Sequence, residues 1–171
     1  MGNPYARFSR GRLKVLHPFI GLITFKRSRM MENRIARATV RINATTERVW
    51  NALVDPKAIK QYMFGATVYS DWREGSSITW KGEWHGKPYQ DKGVVLSVKP
   101  KRKIQYSHFS PSSGLPDKPE NYHTVTIELA SAGDHTDVLL AQDNNESDEA
   151  KESSQRNWET MLDSLKKFVE Q

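Results

Sequence analysis

The sequence predicts an α+β domain: a strand, two short helices, six further strands and one long C-terminal helix. Three observations carry this. Ala36, Ala38, Val40 and Ile42 alternate with Arg37, Thr39, Arg41 and Asn43, the period-two pattern of a half-buried strand. Runs of the same kind recur from Phe64 to Ala141, separated by short turn-forming stretches. Then Trp158, Met161, Leu162, Leu165, Phe168 and Val169 fall at i, i+3, i+4, i+7, i+10 and i+11, a helical stripe. Sequential strands joined by short turns favour an antiparallel meander, with the long helix covering one face.

The two short helices lie in Ala44–Tyr62. Thr45 or Thr46 can cap the first, because a threonine oxygen accepts a bond from an unpaired amide of the first turn. Val49, Ala52 and Leu53 make its apolar stripe. Asp55-Pro56 ends it and starts the second, since proline at the first helical position loses no bond.

Strands follow at Phe64–Ser70 and Ser76–Trp84, with Asp71–Gly75 as the turn between them. In the second, Ile78, Trp80 and Trp84 share one face. His85-Gly86-Lys87-Pro88 reads as a turn, and Val94, Leu96 and Val98 mark the next strand. Ile104, Tyr106 and His108 share a face of the fifth. Val125, Ile127 and Leu129 form the sixth, and the seventh lies around Val138–Ala141. The acidic segment Asp143–Glu152 suits the positive end of the last helix, and Lys166-Lys167 its negative end. Begun near Ser147, that helix reaches about 35 Å at ~1.5 Å per residue.

Composition narrows the function classes. The 171 residues suit one domain with a real core. The absence of cysteine excludes disulfides and thiolate metal sites, and points to a reducing, cytoplasmic setting. No apolar run approaches the ~20 residues of a membrane-spanning helix. The formal charge of +6 is misleading, because seven of the 26 Lys and Arg and no acid lie in residues 1–30. That leaves 19 bases against 20 acids, a net −1, for the single domain expected at 31–171. A near-neutral body argues against nucleic-acid binding. Residues 1–30 show no sustained period and read as a basic, disordered leader. It resembles an organelle transit peptide, or is upstream sequence before a start at Met30 or Met31.

Three pieces of sequence carry a family resemblance. They are Ala44-x-x-x-x-Val49-Trp50-x-Ala52-Leu53-x-Asp55-Pro56, then Gly93-Val94-Val95 leading to Pro100 and Ile104–Tyr106, and Asn157-Trp158-x-x-x-Leu162-x-x-Leu165-Lys166. Over residues 34–170 the chain resembles the helix-grip fold of the START/SRPBCC superfamily, in the branch named for the activator of the heat-shock-chaperone ATPase. Many relatives carry Gly-Trp where this chain has Asn157-Trp158, a difference that bears on helix packing. The resemblance implies a curved sheet gripping the long helix around an elongated, mostly apolar cavity.

Under that resemblance, the dense aromatic set of the middle chain is read as pocket wall rather than core alone. The expected ligand-binding residues are Phe64, Ile78, Trp80, Trp84, Tyr106, His108, Tyr122, Trp158 and Met161. Trp84 is placed near the mouth, and Glu83 and Asp91 are the acids nearest it. The occupant would be an apolar or amphipathic small molecule, such as a lipid, bound by a monomer. A chaperone-binding, co-chaperone-like domain is the alternative. A polyketide cyclase-like enzyme would need Tyr106, His108 or Tyr122 as acid and base. No catalytic motif is present and no catalytic residue is assigned. No cofactor is expected, and the five histidines lack metal-ligand spacing.

Overall fold

A computed structural model describes residues 34–171. The leader expected at 1–30 lies outside the described residues. Among them, all seven strands pair antiparallel in one curved sheet, in the order β1-β7-β6-β5-β4-β3-β2. The outer strands are β1 (Ala36–Ile42) and the three-residue β2 (Thr67–Tyr69). Between them lie β3 (Ser77–Trp84), β4 (Lys87–Lys99), β5 (Lys103–His108), β6 (His123–Ala132) and β7 (His135–Gln142).

The two helices after β1 form as their caps dictate. The Thr45 hydroxyl accepts a hydrogen bond from the Arg48 amide at 3.3 Å and opens α1 (Thr46–Val54). Asp55 serves two helices at once. Its amide donates to the Asn51 carbonyl at the end of α1, and its carboxylate accepts from the Lys57 amide at 3.0 Å to start α2 (Pro56–Tyr62). Both helices bury one stripe, Val49, Trp50, Ala52 and Leu53 on α1 and Ala58, Ile59 and Tyr62 on α2.

The Ser147 hydroxyl caps the long helix α3 (Asp148–Val169) by accepting from the Ala150 amide at 3.0 Å. Its 22 residues span about 33 Å. Met161, Leu162, Leu165 and Val169 are buried, while Trp158 and Phe168 pack half-buried beside them. The core lies between this stripe, α1, α2 and the inner face of the sheet.

One expectation for β3 and β4 is corrected. The turn is only His85-Gly86, both with positive φ (50° and 75°), and β4 begins at Lys87. Two left-handed residues in a row give the tight hairpin whose twist matches its strands. The phase of β4 changes along its length. Val94 and Leu96 point outward and are exposed, whereas Val95 is fully buried. A bulge between Val95 and Ser97 then shifts the register, which turns Val98 back toward the core.

Candidate functional site

The inner face of β3, β4 and β5 does not pack fully against α2 and α3. Two neighbouring voids remain, of about 70 and 20 Å³, and Met63, Trp80, Tyr106 and Trp158 line both. The larger is completed by Tyr89, Asp91 and His108. The smaller is closed by aliphatic core and by Trp72, Tyr62 and Met161. A liquid water occupies ~30 Å³ and a drug-sized pocket ~300 Å³ or more, so the present vacancy holds a group of a few heavy atoms.

Strand register places the polar groups. Trp80 of β3 stands opposite Asp91 of β4, and the next strand presents Tyr106 and His108 two residues apart on the same face. The Trp80 ring lies 5.0 Å from Tyr106 and 5.2 Å from His108, edge-on to the latter. His108 Nε2 donates to Asp91 Oδ2 at 3.1 Å. The two side chains keep 26% and 15% of their surface, so the void reaches solvent past them. The other carboxylate oxygen, Asp91 Oδ1, is buried with no hydrogen-bond partner among the described residues.

The surroundings hold this pair in place. Gly93 lies so close to β5 that a Cβ there would sit 1.7 Å from the Ser107 carbonyl oxygen. Only glycine permits that approach, two residues from Asp91 and directly beside His108. Across β3, Gly82 lies under the Tyr89 ring, which any side chain at 82 would displace. Trp158 is fixed by its indole N–H, which donates to Gln142 Oε1 at 2.8 Å. Gln142 is itself buried and donates to Asn145 Oδ1 and Ser154 Oγ, each at 3.2 Å. Burial pushes the Tyr106 and Tyr62 hydroxyls far above the ordinary tyrosine range. Tyr89 is raised too, by burial first and by the nearby Asp91 second.

Of the residues expected to line a pocket, Trp80, Tyr106, His108, Trp158 and Met161 are brought together here. Four are not. Trp84 is 65% exposed, because the β3–β4 hairpin runs beyond the part of the sheet the helices cover. It rests edge-on against His85 instead of at the mouth. Phe64 is 63% exposed in the turn after α2, with φ 52°. Ile78 is fully buried in packed core and borders neither void. Tyr122 stacks on Phe109 at 5.1 Å, and its hydroxyl donates to Asp117 at 2.7 Å. Tyr106, His108 and Tyr122 therefore do not assemble as an acid–base set. Met63 and Trp72, which give the site two walls, carry no periodic signal, since both sit in irregular segments after α2 and β2.

A larger depression lies elsewhere among the described residues, about 900 Å³ on the outward face of β1, β7 and β6. Its charges are cross-strand pairs, Arg41 with Asp137 at 2.7 Å and Lys103 with Glu128 at 3.7 Å. It contains no aromatic residue, and we read it as the solvated back of the sheet. Among the described residues, no three His, Asp or Glu side chains cluster as a metal site. No helix among them is long and apolar enough to cross a membrane.

Comparison with known proteins places the chain. The solution structure of ChR145 from Cytophaga hutchinsonii is 56% identical, with a TM-score of 0.71 over 80% of this chain and 93% of that one. The crystal structure of CalU16 from Micromonospora echinospora shares 23% identity, with a TM-score of 0.62 over 81% and 85%. The Aha1 dimer from Colwellia psychrerythraea shares 19%, with a TM-score of 0.62 over 80% and 96%. At that identity the last two show the fold alone. No curated protein matches the chain. The family model described as Activator of Hsp90 ATPase homolog 1-like protein matches residues 43–170, from the end of β1 to the end of α3. The seven-stranded sheet gripping one long helix is thus the family's helix-grip fold, and the chain belongs to the Activator of Hsp90 ATPase homolog 1-like family.

Proposed function

We propose that this protein is a binding module that holds a small amphipathic molecule between the sheet and α3. Its apolar part packs on Trp80, Tyr106, Trp158 and Met161, and its polar end meets His108 and Asp91. The observation that carries this reading is the pair of neighbouring voids, one with a polar rim, on an inner face whose other buried residues form the core cluster. Rings on one side and convergent polar groups on the other are the make-up of a ligand pocket. The small volume favours a compact ligand over a lipid chain. A chaperone-binding role is the second reading. It is favoured by the family's name and by Val94 and Leu96, exposed side by side with Leu139 further along the outer face.

Benzyl alcohol, titrated while tryptophan emission is followed, tests the pocket. Saturable quenching is expected, with a stabilisation near 2.7 kcal/mol at about a hundredfold excess over Kd. Met63→Phe adds bulk beside both voids and should weaken binding at least about tenfold, or ~1.4 kcal/mol. Trp84→Ala, on the exposed hairpin, should bind normally. No saturable quenching, together with no small molecule co-purifying in native mass spectrometry, would leave the voids as packing defects.

A further inference from the structure

Resting on that pocket reading, we infer that the head group it takes is a protonated amine. The larger void is bordered by two ionisable groups besides tyrosine, Asp91 and His108. The neighbouring Lys92 turns away and pairs with Asp117, so among the described residues no lysine or arginine borders the void.

The His108 ring spends its Nε2–H on Asp91 Oδ2. Asp91 Oδ1 is left out of solvent and without a partner. An ionised carboxylate can only accept, so whatever satisfies Oδ1 must donate. A carboxylate or phosphate ligand brings no donor and a like charge. An alcohol offers one donor and no charge to set against the carboxylate. An ammonium offers three donors and the opposite charge, and buried charges persist when paired in this way.

The remaining wall points the same way. Trp80, Tyr89, Tyr106 and Trp158 surround the void, and aromatic rings attract a cation within ~6 Å of their centres. The two tyrosines keep their protons and add no competing charge. A void of about 70 Å³ takes an ammonium and its first carbons, and the smaller void beyond Trp80 takes the start of an apolar tail.

The test uses the full chain and three probes of one size, n-butylamine, n-butanol and butyrate, titrated at neutral pH while His108 ring signals are followed by NMR. Butylamine should bind at least about tenfold tighter than butanol, and butyrate weakest of the three. In Asp91→Asn, checked for a native spectrum, amine and alcohol should bind alike within about threefold. If Asp91→Asn does not fold, the ranking of the three probes on the native chain decides. Equal affinity for amine and alcohol, tighter binding of butyrate, or an amine preference surviving in Asp91→Asn overturns the amine assignment while leaving the pocket standing. If none of the three binds, both fall.

Discussion

The two ends of the inner sheet face solve the same packing problem differently. Toward β1 and β7 the wall is Ala36, Ala38, Val138 and Leu140, all nearly or fully buried, and α3 lies directly on β1. Two alanines let the helix come close, and Leu162 and Leu165 fill the space completely. Toward β3, β4 and β5 the wall is rings, with Asp91 and His108 among them, and the same helix leaves vacancies. Small and branched side chains interdigitate to crystal-like density; large planar ones meeting at 47° and 70° do not. One half of the grip provides stability and the other a site.

Truncation should separate the halves most clearly. Leu165→Ala, in the closed half, should cost ~3–5 kcal/mol by urea titration, because nothing can collapse into the space. Met161→Ala, one turn earlier and beside the smaller void, should fall near the low end, ~2 kcal/mol, because less packing is lost. Equal costs would mean the halves are packed alike. Gly93→Ala is expected to be intermediate. Its methyl would meet the Ser107 carbonyl and force β4 from β5, costing ~1–3 kcal/mol as overpacking does. The distinguishing readout is NMR: His108 ring signals should move while those of Leu165 stay.

The smallest effect lies at the closed end. Glu170 Oε1 accepts from the Asn43 amide at 2.6 Å, tying the end of α3 to the chain after β1. That bond first, and Lys166 second, hold its pKa below the ordinary 4.5. A lowered folded pKa contributes stability above 4.5 that is lost as pH falls through the folded value. The melting-temperature difference between native chain and Glu170→Gln should therefore shrink between neutral pH and about pH 3. A difference that stays constant would show that this contact contributes nothing through its charge.

The sequence shows most where period and environment agree. In β1, in β5 up to Tyr106 and in α3 from Met161 on, one side is buried and the other is not, so alternation or helical spacing names their buried residues directly. It leaves the phase of β4 open, where Val94 and Leu96 mark the strand and face outward. The bulge that reverses the phase is a hydrogen-bonding feature with no residue signature of its own. Trp84 obeys the same alternation as Trp80, yet alternation cannot tell how far along a strand the helices reach. Asp91 stands out among the acids only through its partner, 17 residues away in sequence and 3.1 Å away in space.

The incompletely filled half also makes volume a variable of this fold. Space enclosed by the native state and lost on unfolding makes the unfolded state the smaller one, so hydrostatic pressure acts against the native chain. Unfolding volume changes are typically ~20–100 mL/mol and scale with the internal void space eliminated, without equalling it. Compression should therefore bear first on the sheet around Trp80 and Tyr106, while the alanine-lined end, with little space to surrender, holds. A molecule seated in the site would take that leverage away, so occupancy and pressure resistance should rise together.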